Sequence, residues 1–203
     1  MADTNEVDST GIRGFNGTYW QNVRIDSSTR SFQTIDYAHH EIHAGSSYHA
    51  FVYDDTAATN ELVNLYIKTA NTTKYCHSFS QWSAGGAAIF RIHEAPTITA
   101  NTGTNGVAII NHNRNSSNIS GCFDNATTPV VNKYGTGVTK TAEGTVLLIE
   151  YSGVGKTMAG SGRNENEYIL KPNTAYLFEL IAIGNNIALA IGAGWYEHTD
   201  QET

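Results

Sequence analysis

An all-β fold is what this sequence predicts, and three observations carry it. Apolar residues alternate with polar ones at period two in segment after segment. Turn residues interrupt these segments at regular intervals. Only 15% of the 203 residues are charged, while Asn, Thr, Ser and Gly abound, a composition that suits strands joined by turns. Many short strands with regular turns mean a sandwich or a barrel. The strand count fits best an antiparallel β-sandwich, jelly-roll-like, in a single domain. No internal repeat or domain linker is evident.

The elements follow in order. Residues 1–20 read as a flexible N-terminal arm, with the first ten mobile, and 21–203 as the sandwich domain. Strands are predicted near 32–43, 47–54, 61–69, 74–81, 87–94 and 107–112. In 61–69, Val63, Leu65 and Ile67 alternate with Asn64, Tyr66 and Lys68, so a strand is preferred over a helix. Ala88, Phe90 and Ile92 face one way, Arg91 and His93 the other. Segment 145–151 is apolar on both faces, as a central strand is. In the last third, Lys171-Pro172-Asn173-Thr174 and Gly184-Asn185-Asn186 predict a meander of 167–171, 175–183 and 187–197 joined by tight hairpins. In its last strand Ile187, Leu189, Ile191, Ala193 and Trp195 share a face, opposite the small Ala188, Ala190, Gly192 and Gly194 and the larger Tyr196. Stretches 97–106 and 152–167 read as exposed loops, the places where a rigid β scaffold meets partners.

Charge and composition exclude several function classes. The net charge is −7 and no basic stripe occurs, which argues against binding nucleic acid through its phosphates. The longest apolar run, near 181–193, is broken by Gly184-Asn185-Asn186, so no membrane span is predicted. The polar, acidic N-terminus has no export signal. Cys76 and Cys122 are too few for a disulfide framework and read as buried thiols in a reducing cytosol.

Each motif that suggests chemistry meets an objection. In His39-His40-Glu41-Ile42-His43 the zinc-protease pattern fails, because the position four after His40 is Ala44. On a strand His39, Glu41 and His43 would share one face and could hold a metal ion. No second ligand set is evident, although His77, His93 and His112 could come near in space. A hydrogen-bonded histidine ladder or subunit contact is preferred, with no cofactor expected. Ser152-Gly153-Val154-Gly155-Lys156-Thr157 imitates a phosphate loop, but Glu150 stands where its first glycine belongs. Cys76 and His77 are adjacent and fall on opposite faces of a strand, a poor arrangement for a thiolate pair. No catalytic residue is assigned. Aromatic residues such as Tyr19, Trp20, Trp82, Trp195 and Tyr196 read as core or interface.

Several phrases, in order and spacing, resemble a family of tailed-bacteriophage virion structural proteins, the head-decoration or cement-like kind. They are Trp20 to Ile25, Thr34-Ile35-Asp36-Tyr37-Ala38-His39-His40-Glu41-Ile42-His43-Ala44-Gly45-Ser46, Asn71-Thr72-Thr73-Lys74, Asn113-Arg114-Asn115-Ser116-Ser117, Tyr168-Ile169-Leu170-Lys171-Pro172-Asn173-Thr174-Ala175-Tyr176 and Trp195-Tyr196-Glu197. The chain departs from the pattern at Ala38, where an acidic residue is common, and at Tyr75-Cys76, where aromatics are. The resemblance implies a non-catalytic protein made in the bacterial cytoplasm and carried on the capsid surface. Its implied partners are the major capsid protein and further copies of itself, as a homotrimer, with no nucleic acid and no membrane. A tail- or fibre-associated adhesion module is the alternative, and a metal-dependent β-sandwich enzyme using His39, Glu41 and His43 is a third. The resemblance gives structural or interface roles to His40, Arg114, Asn115, Pro172, Trp195 and Tyr196: Arg114 pinning its loop, Pro172 with Asn173 setting a hairpin register, and Trp195 filling the core.

Overall fold

A computed structural model describes residues 13–15, 20–22, 37–99, 107–123, 138–153, 158–161 and 167–199. The chain divides into two compact units, Met1–Tyr37 with Gln201–Thr203, and Ala38–Asp200. In the first, β1 (Arg13–Phe15) pairs antiparallel with β2 (Trp20–Asn22). The first ten residues, read as mobile, lie outside the described residues.

The second unit is an antiparallel β-sandwich. After α1 (Tyr37–Ala44) come β3 (Ser47–Ala57), β4 (Leu62–Lys68), β5 (Tyr75–Ala84), β6 (Ala88–Glu94), β7 (Thr97–Ile98), β8 (Ile110–Asn111), β9 (Lys140–Ala142), β10 (Thr145–Ser152), β11 (Met158–Ser161), β12 (Tyr168–Leu170), β13 (Ala175–Ala182) and β14 (Ile187–His198). One sheet has the order β10-β6-β13-β4 and the other β11-β5-β14-β3-β8, with β12 also on β5. Strands β3, β4, β5 and β6 fall alternately in the two sheets. Pairing is nested: β14 lies on β3, β13 on β4, β12 and β11 on β5, and β10 on β6. The chain thus runs out through β6, turns back between β6 and β10, and returns along its own outward path.

The alternation that predicts the strands also builds the core. Tyr48, Ala50 and Val52 of β3, Val63, Leu65 and Ile67 of β4, Phe90 and Ile92 of β6, and Phe178 and Leu180 of β13 meet Leu189, Ile191 and Trp195 of β14 between the layers. The Val, Leu, Ile and Phe side chains among these each contribute about 1.5–3 kcal/mol when withdrawn from water. On β4 the intervening residues are buried too, because residues 138–142 lie over that sheet. Asn64 pairs with Val138 like a neighbouring strand, its Nδ2 donating to Val138 O (3.4 Å) and its Oδ1 accepting from Val138 N (3.2 Å). Tyr66 and Leu177 pack on Val138 beside it.

Four expectations are corrected here. The strand near 32–43 is instead α1 over its described part. Ala38, Glu41 and Ala44 are good helix formers, and the segment ends as helices do, on Gly45 at φ 73°. The three-stranded meander does not form: β12 pairs with β5, β13 with β4 and β6, and β14 with β3 and β5. Its turns pass from one layer to the other, since a turn sequence reverses the chain without deciding whether the arms pair. Segment 145–152 is an edge strand rather than a central one, with Val146, Ile149 and Tyr151 exposed. Within 152–167, β11 is a strand on β5, while 154–157 and 162–166 lie outside the described residues. The stretch 97–106 begins with β7, paired to β9, and its residues 100–106 also lie outside them.

Candidate functional site

Helix α1 is short, so its C-terminal carbonyls need partners. Two come from its own end: Gly45 N donates to Ile42 O (3.1 Å) and Ser46 N to Glu41 O (2.9 Å), the two bonds that close a helix on a left-handed glycine. The next three carbonyls are capped by asparagine amides from residues 111–118. Asn113 Nδ2 donates to His43 O (3.1 Å), Asn118 Nδ2 to Ala44 O (3.3 Å) and Asn111 Nδ2 to Gly45 O (2.9 Å). Tyr48 Oη adds a fourth donor on Gly45 O at 3.1 Å. Burial, with Glu197 and Cys122 nearby, pushes the Tyr48 phenol up to about 12, so it remains a donor. The loop also braces itself, Asn113 N donating to Asn111 Oδ1 and Asn115 N to Asn113 Oδ1.

Beneath this loop lies Glu197, 1% exposed. Its carboxylate accepts from Ser120 Oγ, Gly121 N (2.8 Å) and Trp195 Nε1 (3.1 Å), and Lys74 Nζ stands 3.6 Å away. A buried carboxylate is tolerated when donors surround it. Trp195 is wholly buried, stacked on Tyr48 and edge-on to Phe123. Cys76 and Cys122 are free and buried.

The predicted site residues therefore separate. His39 and His43 lie one helical turn apart and exposed, with Nε2 atoms 3.0 Å apart. Glu41 is buried on another side of α1, its Oε1 3.3 Å from His40 Nδ1. The shared strand face expected of His39, Glu41 and His43 does not exist. Among the described residues no group of three or more His, Cys, Asp or Glu side chains is placed to hold a metal ion. Arg114 and Asn115 are exposed, and the side chains that pin the loop are Asn111, Asn113 and Asn118. Pro172 sits in a turn between layers, so it sets no hairpin register. That turn hangs on β4's end: Asn173 N donates to Ala70 O, and Thr174 N to Thr69 Oγ1. Tyr196 is nearly buried, stacks on His77 and donates to Glu167 Oε1 (2.7 Å). Glu167 Oε1 also meets His77 Nδ1 (2.6 Å), and His77 Nε2 meets His198 Nε2 (2.9 Å).

Two features escape the sequence. On the outer face of the six-stranded sheet, Gly192 stands between Phe51 and Gln81, and Gly194 between His49 and Phe79. With His112 these line a trough of about 280 Å3. Phe51 is half exposed there, and the buried His49 Nδ1 has no hydrogen-bond partner among the described residues. Burial, and then the Arg114 charge, lower the His49 pKa. On the other sheet an ionic knot ties the 138–143 strap down. The wholly buried His93 meets Glu179 Oε2 at 2.8 Å and Glu143 Oε2 at 3.1 Å, and Lys140 Nζ lies 2.8 Å from both carboxylates. Burial pushes the Glu179 carboxyl up, but bonds from His93 and Lys140 outweigh it and hold the pKa below the ordinary value.

The class defined by fold and geometry is an all-β sandwich with a polar corner held by side-chain hydrogen bonds. Comparison with protein-family models, curated proteins and solved structures finds no match for the chain.

Proposed function

We propose that this protein is a structural component of a tailed-phage particle, binding the outside of the head shell and stabilising it without catalysis. One observation carries the reading. Three of the stretches that resemble the virion family meet at one corner: the described part of 34–46, which holds α1, then 113–117, and 195–197 at the end of β14. Asn113 Nδ2 donates to His43 O and Glu197 N to Ser46 O between them, while His39, His40, His43, Arg114 and Asn115 are exposed, next to the apolar Ile119 of the same loop. A docking surface requires that combination of braced backbone and exposed side chains. The nested pairing of β3 to β6 with β14 to β10 also favours a jelly roll, the double-sheet form common in viral capsid proteins. We read the working form as a homotrimer, with the exposed apolar residues of edge strand β10 as its interface.

The test compares heads assembled with and without the protein. Occupied heads are expected to resist heating better, with antibody label on the shell. Equal stability, with no label on heads, contradicts the reading.

A second reading is an adhesion module of the tail or fibre. The aromatic-sided trough over Gly192 and Gly194 favours it, because an exposed ring beside polar groups suits a sugar. Few copies per particle and label at the tail would select it.

A further inference from the structure

We propose that His39 and His43 form a two-imidazole chelate for a divalent transition-metal ion, Cu2+ or Ni2+, on the exposed side of α1. The helix itself creates the pair, since residues four apart stand one above the other on a helix and would be about 13 Å apart on a strand. The ring centroids are 4.8 Å apart and the two Nε2 atoms 3.0 Å. With both rings neutral, one Nε2–H donates to the other Nε2. A metal ion replaces that proton bridge when both nitrogens turn their lone pairs to it.

Imidazole nitrogen suits both ions, and the affinity of a nitrogen site for first-row divalent metals rises towards Ni2+ and Cu2+. Both accept neighbouring nitrogens in a square-planar or tetragonal arrangement. Among the described residues no third ligand joins them: Glu41 is buried on another side of the helix and His40 leans to it. The remaining positions are left to water, so this is a surface chelate rather than a structural centre, and it is independent of the virion reading.

The experiment uses the untagged full-length chain in chelator-free buffer, titrated calorimetrically with Ni2+. His39→Ala and His43→Ala are each expected to weaken binding about tenfold or more, because one ligand replaces a chelate. His40→Ala is expected to bind like the unaltered protein. Electron paramagnetic resonance of the Cu2+-loaded protein is expected to show two coordinated imidazole nitrogens, and one in His43→Ala. These side chains are exposed, so circular dichroism of each variant should match the parent. Binding unchanged in His39→Ala and His43→Ala, or a Cu2+ spectrum in the parent without two imidazole nitrogens, overturns the proposal.

Discussion

The corner on α1 and the strap over the four-stranded sheet both hold irregular backbone against a layer, but with different chemistry. At the corner, neutral asparagine amides cap helix carbonyls. At the strap, His93, Lys140, Glu143 and Glu179 form a knot of charges. Amide bonds do not titrate, so the asparagine loop should keep its grip across a wide pH range. The knot depends on an ionised carboxylate and should loosen in acid. Both sit on the outside of a conventional apolar core, and neither is needed to explain the strands.

The largest expected effect lies below the corner. Glu197→Ala strands Ser120 Oγ, Gly121 N and Trp195 Nε1 and leaves Lys74 without its carboxylate. We expect a loss of about 3–5 kcal/mol in a denaturant titration. A loss under about 1 kcal/mol would mean that water replaces the carboxylate and that the corner is not internally braced.

Next comes the knot. Glu179→Gln should cost about 2 kcal/mol near neutral pH, through weakened bonds to His93 and Lys140. The sign with pH follows from the lowered carboxyl. Its stabilisation is present above the unfolded-state value and is lost as pH falls through the lower folded value. Stability of the parent should decline with acidification over that window, and Glu179→Gln should flatten the decline. An equal decline in both proteins would assign the acid sensitivity to other groups.

A smaller effect tests the helix end. Gly45 adopts φ 73°, and a methyl there would collide with the Ser116 side chain. Gly45→Ala should cost about 1–3 kcal/mol in thermal unfolding, whereas Gly153→Ala, with open space around it, should be nearly neutral. The smallest effect on stability is at Arg114, which is exposed. Arg114→Ala should change unfolding by less than about 0.5 kcal/mol. If the same variant attaches less well to heads, the corner is the docking face; unimpaired attachment removes Arg114 from it.

Strands over 47–54, 61–69, 74–81 and 87–94 were legible because period-two alternation states directly which side faces the core. Helix α1 is not legible, because eight residues with only one large aliphatic, Ile42, leave no periodicity to read. Ala44-Gly45, a helix former followed by a stop residue, was the available signal. The layer crossings at Pro172 and Asn185 were not legible. Whether two arms pair or separate is decided by partners distant in sequence, here β4, β6, β3 and β5. Segment 145–151 shows the opposite failure: Val146, Ile149 and Tyr151 are apolar yet exposed, so composition alone mistook an edge for a centre. At the site, the alternation along 187–197 places Trp195 on the core face, where it is wholly buried. The asparagines give no signal of their own, because their work is capping a helix that leaves no periodicity in the sequence. Glu197 carries little local signal, since apart from Trp195 its partners come from residues 74, 120 and 121.

The most direct measurement is a cryo-EM map of the intact phage particle. Many symmetry-related copies are expected on the outside of the head, each a two-layer sandwich with its α1 corner against the shell. Density for this fold only at the tail, or none in the particle, would contradict that placement.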